Sequence, residues 1–351
     1  MGAEIGKEDS RRVKTKMKQR YLLAAGVITG LTIPATTLPA LPISYPETIS
    51  AHSDSGLDLL AIRGDINNVT PKIEVAAPEF SSLENLDTFE DDDDSSFHFN
   101  SPPSTTSRLI SGSQMYYQRL SALQTGQIYT RIEDSNISSL FAPQKKRPTY
   151  EDWKALLNLE GKAIADGQGR NRLSVLVGDS LSMWFPTTLL PNGKLWLNQG
   201  ISGDTSGGVS KRLTAFARTR PDVIYIMAGI NDLRKGLSDE VIIRNHRRIL
   251  KRLRVMHPTS LIIVQSILPT RMPTIPNVRI RRINESLAKI AKDEGASYLN
   301  IHAWFSDTQG NLREDLTTDG LHLSDRGYQV WQWAIQQIEI KYTTAKLTRK
   351  L

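Results

Sequence analysis

The spacing of apolar and polar positions changes character along this chain, and it is most regular after Arg172. Apolar runs at 173–177, 195–198, 223–228, 261–266 and 298–301 are separated there by stretches with helical spacing. Runs of Val, Ile and Leu without alternation are the pattern of strands covered on both faces, and strands alternating with helices predict a parallel sheet. The intervening helices are amphipathic. Over 239–256, Ile242, Ile243, Ile249, Leu250 and Leu253 share one side, while Arg244, Arg247, Arg248 and Lys251 fall largely on the other. A second helix at about 276–294 carries Ile280, Ile283, Leu287 and Ile290, and a third over 325–342 carries Tyr328, Trp331, Ala334 and Ile338. These stripes are read as core.

Upstream the rhythm loosens. Residues 112–171 are expected to be a helical lead-in, with Tyr116, Tyr117, Leu120, Leu123 and Ile128 in one short helix and Tyr150, Trp153, Leu156, Leu157 and Leu159 in another. Pro143, Lys145, Lys146, Arg147 and Pro148 mark a hinge between them. The lead-in is expected to cover the next domain or to space it from a membrane, with a substrate lid as the alternative. Residues 44–111 are rich in Ser, Thr, Pro, Asp and Asn, include the acidic run Glu90 to Asp94, and hold no sustained periodicity, so a disordered acidic linker is expected. Asp91 to Asp94 lack the spaced carboxylates, glycine and closing glutamate of a calcium loop, and are read as a solvated charge run.

Residues 1–43 read differently again. Arg11, Arg12, Lys14, Lys16, Lys18 and Arg20 directly precede the uncharged stretch Tyr21 to Ile33, and Pro34, Pro39 and Pro42 follow. That is the layout of an export signal, with Ala40 as a tolerable cleavage residue, or of an uncleaved anchor over residues 21–43. Either version predicts an extracytoplasmic protein, and the second adds membrane association through the N-terminal segment.

Charge sharpens these divisions. The formal net charge is +7, yet residues 1–40 carry seven Lys/Arg against three acids and 41–110 carry three against thirteen, which leaves +13 on the rest. A basic folded region attracts anions, but no arginine-rich helix, finger or aromatic-basic motif favours nucleic acid. The chain has no cysteine, which excludes disulfides, thiolate nucleophiles and cysteine-ligated zinc. The reading requires no metal and no cofactor.

Candidate chemistry collects where the apolar runs end. Asp179-Ser180 follows the first, Gly203-Asp204-Thr205-Ser206 the second and Gly229-Ile230-Asn231-Asp232 the third, and Asp319-Gly320-Leu321-His322 stands near the C-terminus. A serine hydroxyl needs a base to take its proton, and a histidine oriented by a carboxylate is such a base. A turn from Asp319 to His322 can place the carboxylate on one imidazole nitrogen and leave the other for Ser180. Ser180 N–H, Gly203 N–H and the Asn231 amide would be oxyanion donors. Taken alone, Gly-Asp-Ser reads more readily as a helix cap than as a nucleophile. Asp232 reads as a structural residue of its turn, and His246, His257 and His302 as surface or packing residues. Trp184, Phe185 and Ile267-Leu268-Pro269 read either as pocket walls or as core.

Gly178-Asp179-Ser180-Leu181, the glycine of Ile201-Ser202-Gly203-Asp204-Thr205, Gly229-Ile230-Asn231-Asp232 and Asp319-Gly320-Leu321-His322 together resemble the four sequence blocks of the GDSL or SGNH hydrolases, in the same order. The resemblance covers about residues 172–342. It implies an α/β fold, a three-layer α/β/α sandwich on a five-stranded parallel sheet in flavodoxin-like order, here over 172–345. It also implies Ser180 as nucleophile, Asp319 and His322 as the rest of a triad, and Gly203 and Asn231 beside Ser180 in the oxyanion hole. The activity expected is a serine esterase working through an acyl-enzyme on a small-molecule or polymer-borne ester, lipid or acetylated glycan. A thioesterase, lysophospholipase or acyltransferase on the same triad, and an inactive acyl- or glycan-binding module, are the alternatives.

Overall fold

The computed structural model describes residues 111–131 and 147–348. The export segment, the acidic linker before Ser111, and Pro143, Lys145 and Lys146 of the expected hinge lie outside the described residues. Among the described residues, no helix is long and apolar enough to cross a membrane.

Each of the five apolar runs is a strand: β1 (Leu173–Gly178), β2 (Leu195–Gly200), β3 (Val223–Met227), β4 (Leu261–Gln265) and β5 (Ser297–Leu299). They form one parallel sheet in the order β2-β1-β3-β4-β5. The order reverses between β1 and β3, and such a switch point opens a crevice at the carboxyl ends of the strands. The helices in chain order are α1 (Gly112–Gln124), α2 (Tyr150–Gly167), α3 (Ser180–Met183), α4 (Ser206–Arg212), α5 (Ile230–Arg234), α6 (Asp239–Met256), α7 (Asn277–Asp293) and α8 (Asp325–Thr348).

Alternate strand residues feed two apolar layers, which is why the runs show no regular apolar–polar alternation. Val175, Val177, Ile224, Ile226 and Val264 meet Val209 of α4, Ile249 and Leu253 of α6, and Ile280 and Leu287 of α7. On the opposite face Leu176, Tyr225, Met227 and Ile263 meet Tyr328, Trp331, Ala334 and Ile338 of α8. Full burial of each such side chain contributes about 1.5–3 kcal/mol. The expected α/β/α sandwich is the observed one.

The N-terminal end of the sheet carries a buried polar network. Glu339 of α8 accepts from Ser174 Oγ at 2.7 Å and Tyr225 Oη at 3.0 Å, and it pairs with Lys194. Lys194 also donates to Ser174 Oγ at 2.7 Å. Burial pulls the Lys194 ammonium down from its ordinary value, against the opposing pull of Glu339.

The lead-in helices lie against the sheet. Both begin in capping boxes, Ser111 with Gln114 and Thr149 with Asp152. Met115, Leu123, Trp153, Leu156 and Leu157 form an apolar cluster with Met183 of α3 and Ile201 just after β2. Arg119 is buried, pairs with Glu160 at 2.5 Å and donates to the Asn198 carbonyl of β2 at 2.7 Å. Thr130 Oγ1 donates to the Trp196 carbonyl of the same strand at 2.7 Å. Two residues assigned to the apolar stripe of α2 do not belong to it. The buried set Trp153, Leu156, Leu157, Glu160, Gly161 and Ile164 follows helical spacing. Leu159 falls off that face and is exposed, and Tyr150, at the first position, is 42% exposed.

Candidate active site

β1 runs into Gly178, and the chain turns into α3 at Asp179. The cap of α3 belongs to Asp179, whose Oδ1 accepts the Leu181 N–H at 3.0 Å. Ser180 is therefore not the cap, and its hydroxyl is left for other work. Ser180 Oγ stands 3.3 Å from His322 Nε2, and His322 Nδ1 stands 2.7 Å from Asp319 Oδ2. An imidazole that donates Nδ1–H to a carboxylate presents its Nε2 lone pair on the other side, which here faces the serine.

The turn that holds the pair is built locally. Asp319 Oδ1 accepts the N–H groups of Leu321 at 3.0 Å and His322 at 2.7 Å, which fixes the carboxylate before the imidazole reaches it. Thr270 Oγ1 and the Arg271 N–H both donate to the Gly320 carbonyl, at 2.9 and 2.8 Å, and tie the turn to the loop after β4. Burial alone would raise the Asp319 carboxyl, but the hydrogen bonds from His322 and Leu321 outweigh it and the net direction is down. The group is thus held as a carboxylate.

The loop after β2 comes beside the serine. Ile201 O accepts the Asp204 N–H at 3.2 Å, and Gly203 sits inside this turn at φ 76°. That left-handed conformation favours glycine. Gly200, one step earlier, is required for contact: a Cβ there would strike the Met183 backbone, so a glycine lets α3 approach β2. From the β3 end, Asn231 Nδ2 donates to the Asp204 carbonyl at 3.0 Å and Oδ1 accepts from Arg234 at 3.1 Å. One amide N–H of Asn231 is thereby used, and an Asn amide has a second. Asp232 accepts the Ser206 N–H at 2.8 Å and the Ser206 hydroxyl at 2.5 Å, which is the structural role expected of it.

Residues 164–330 match the model of the GDSL-like Lipase/Acylhydrolase family. This domain belongs to that family of ester hydrolases. Among curated proteins the chain is similar to an N-acylneuraminate cytidylyltransferase of Streptococcus agalactiae serotype V, 24% identical over 163 residues. That match covers 46% of this chain and 38% of the relative, so the chain spans well under half of that relative's length. Among solved structures it is similar to a GDSL-like lipase of Bacteroides thetaiotaomicron, at 18% identity and TM-score 0.46, over 54% of this chain and 97% of that one. It is also similar to a variant of an acetyl-xylooligosaccharide esterase of Geobacillus Stearmophilus, at 17% identity and TM-score 0.41, over 48% and 93% of the two chains.

Beneath the acylhydrolase site lies a hub that the motifs do not announce. Arg212, buried at the end of α4, donates to Asp204 Oδ2 at 2.6 Å, to the Gly178 carbonyl at 2.6 Å and to the Gln199 carbonyl. One guanidinium thus joins the ends of β1 and β2 to the loop that carries Gly203. In the sequence Arg212 is an ordinary basic residue in the last turn of a short helix, and nothing in its spacing marks it. Asp204 stands inside a quoted block, so adjacency to Gly203 was the one available signal.

The remaining candidates separate cleanly. Ile267, Leu268 and Pro269 line a mostly apolar crevice with Leu181, Met227, Ala228 and Ile230, and Asp179 and Leu321 complete its wall. Phe185 is core, edge-on to Tyr328 at 5.7 Å and Trp331 at 5.1 Å. His246, His257 and His302 are buried, and burial lowers the latter two to about 4. They pack as neutral rings, His257 stacked on Phe216 at 5.3 Å.

Proposed function

We propose that this acylhydrolase domain cleaves a carboxylic ester through an acyl-enzyme on Ser180. The reading is carried by one observation, the line of contacts from Ser180 Oγ to His322 Nε2 and from His322 Nδ1 to Asp319. His322 Nε2 takes the serine proton as Oγ bonds to the ester carbonyl carbon, and the carbonyl π electrons move to oxygen. Ser180 N–H, Gly203 N–H and the second Asn231 amide N–H receive that oxyanion. The protonated imidazole then gives its proton to the departing alkoxide as the C–O bond breaks. Water, deprotonated by the same nitrogen, repeats the sequence on the acyl-enzyme and frees the acid and Ser180. Asp319 stabilises the imidazolium in both halves and keeps its own charge.

The apolar crevice, whose wall includes both neighbours of Ser180 in the chain, holds no more than about one water-sized group, which favours a short acyl group such as acetyl. The alcohol side meets a different setting, because His322 and Asp319 are half open, with side-chain exposures of 37% and 52%. An open leaving-group side suits an ester carried on a larger molecule, lipid headgroup or acetylated glycan. The basic residues before Tyr21 support placement of this domain outside the cytoplasm, and protease should reach it in intact cells or spheroplasts. A fluorophosphonate probe should label the wild type and fail on Ser180→Ala, and a nitrophenyl ester series from acetate to palmitate should rank the acyl chains. Labelling that persists in Ser180→Ala would remove the serine from the reaction.

A further inference from the structure

The family match begins at residue 164, so α1 and most of α2 lie outside it, yet this segment reaches the catalytic loop. Tyr150, the first residue of α2, points its hydroxyl at Asp204 Oδ1 at 3.3 Å. The other oxygen of that carboxylate is taken by Arg212 at 2.6 Å, and the backbone carbonyl of Asp204 receives Asn231 Nδ2. Among the described residues, the lead-in helix, the Arg212 hub and Asn231 meet on Asp204, and Gly203 is its chain neighbour. We propose that Tyr150 is a positioning residue for the oxyanion loop: its hydroxyl fixes the Asp204 carboxylate and so sets the orientation of the Gly203 N–H and the Asn231 amide. The proposal rests on the esterase reading above.

Further observations support it. Asp204 Oδ1 also accepts the Thr205 N–H at 3.0 Å, so a rotation of the carboxylate pulls on the loop backbone. Gly208, in the first turn of α4, faces the same pair: a Cβ there would strike the Asp204 carboxylate and come within 3.1 Å of Tyr150 Oη. Glycine inside a helix costs about 1 kcal/mol relative to alanine, and here it leaves room for the contact. Finally, burial and the Asp204 charge push the Tyr150 hydroxyl up to about 12, so the phenol keeps its proton and donates throughout the working range. The apolar cluster of Leu156 and Leu157 with Met183 and Ile201 holds α2 at the distance this bond requires.

The test is Tyr150→Phe in the full chain, which removes one oxygen from a partly exposed side chain. Loss of one hydrogen bond of modest strength should lower kcat on nitrophenyl acetate about three- to tenfold with KM unchanged. Fluorophosphonate labelling, which builds the same oxyanion, should slow by the same factor. Backbone hydrogen exchange should rise over 201–205 and stay unchanged over β1. An unchanged kcat, a rise in KM alone, or unchanged exchange over 201–205 would each overturn the proposal, since Tyr150 would then be a structural cap or a substrate contact. If the wild type itself neither turns over ester nor takes the probe, the esterase reading fails instead.

Discussion

The two ends of the one sheet treat their polar groups in opposite ways. At the N-terminal end, Ser174, Lys194, Tyr225 and Glu339 are bonded to one another in the interior, and each oxygen of Glu339 has at least one donor. At the C-terminal end the Arg212–Asp204 and Ser206–Asp232 bonds are as tight, but the contacts around Ser180 are looser. Ser180 and His322 stand at 3.3 Å, the relay is half open to water, and Asp179 Oδ2 is buried without a partner. A buried charge network holds its shape when every member is satisfied. A site proposed to exchange protons and bind a transient oxyanion would keep valences in reserve. The same strands therefore carry a stabilising end and a reactive end, and substitutions at the two ends should separate stability from turnover.

The largest effect is expected at the reactive end. Ser180→Ala and His322→Ala should each lower kcat about 10,000-fold or more, and the double variant should be scarcely slower than either, because the two share one proton transfer. Thermal unfolding should show Tm close to wild type in all three. Glu339→Ala should do the reverse. It strands the buried Lys194 charge, and removal of one partner of such a pair costs about 3–5 kcal/mol of stability. Urea unfolding should register that loss while kcat per folded molecule stays unchanged.

Smaller effects sharpen the contrast. Asn231→Ala removes one of the proposed oxyanion donors and leaves the relay intact, so turnover should fall about 100-fold and remain measurable. A pH dependence should come from Asp179, whose carboxyl is raised from 3.8 to about 7 by burial, with the Asp204 and Asp232 charges adding to the rise and the Leu181 N–H and Arg212 opposing it. Its folded value lies above its unfolded one, so its contribution to stability is complete below about pH 4 and is lost as pH rises through about 7. Asp179→Asn keeps an oxygen for the Leu181 N–H and removes the titration. It should melt with wild type at pH 4 and be more stable at pH 8, by something on the order of 1 kcal/mol. A wild-type advantage at pH 8 would show that the carboxylate is paired after all.

How much of this was legible in the sequence depended on whether a residue acts through local pattern or distant contact. The five strands and the helices at 239–256 and 276–294 were readable because burial on both faces makes a strand mostly apolar without alternation, while a helix buried on one side shows only a stripe. The four blocks were readable because each holds its polar residues within a few positions at a strand or loop end, and the Asp319 to His322 turn closes over three residues. Tyr150 and Arg212 were not readable in that way. Tyr150 reads in the sequence as one more apolar residue of α2, but its hydroxyl meets a partner 54 residues away. Arg212 reaches the Gly178 carbonyl 34 residues back. Leu159 was placed in the stripe on residue type, but its angle around α2 turns it outward.

The bonds from Arg119 and Thr130 to carbonyl groups of β2 bear on more than the fit of the lead-in helices. β2 is the outermost strand on its side of the sheet, while the opposite border is the three-residue β5. A long outer strand with free carbonyls is a template on which a second chain can add its own strand. Arg119 and Thr130 occupy that template at Asn198 and Trp196. A protein trimmed before residue 147 should therefore betray the loss by recruiting copies of itself, seen as light scattering that grows with concentration.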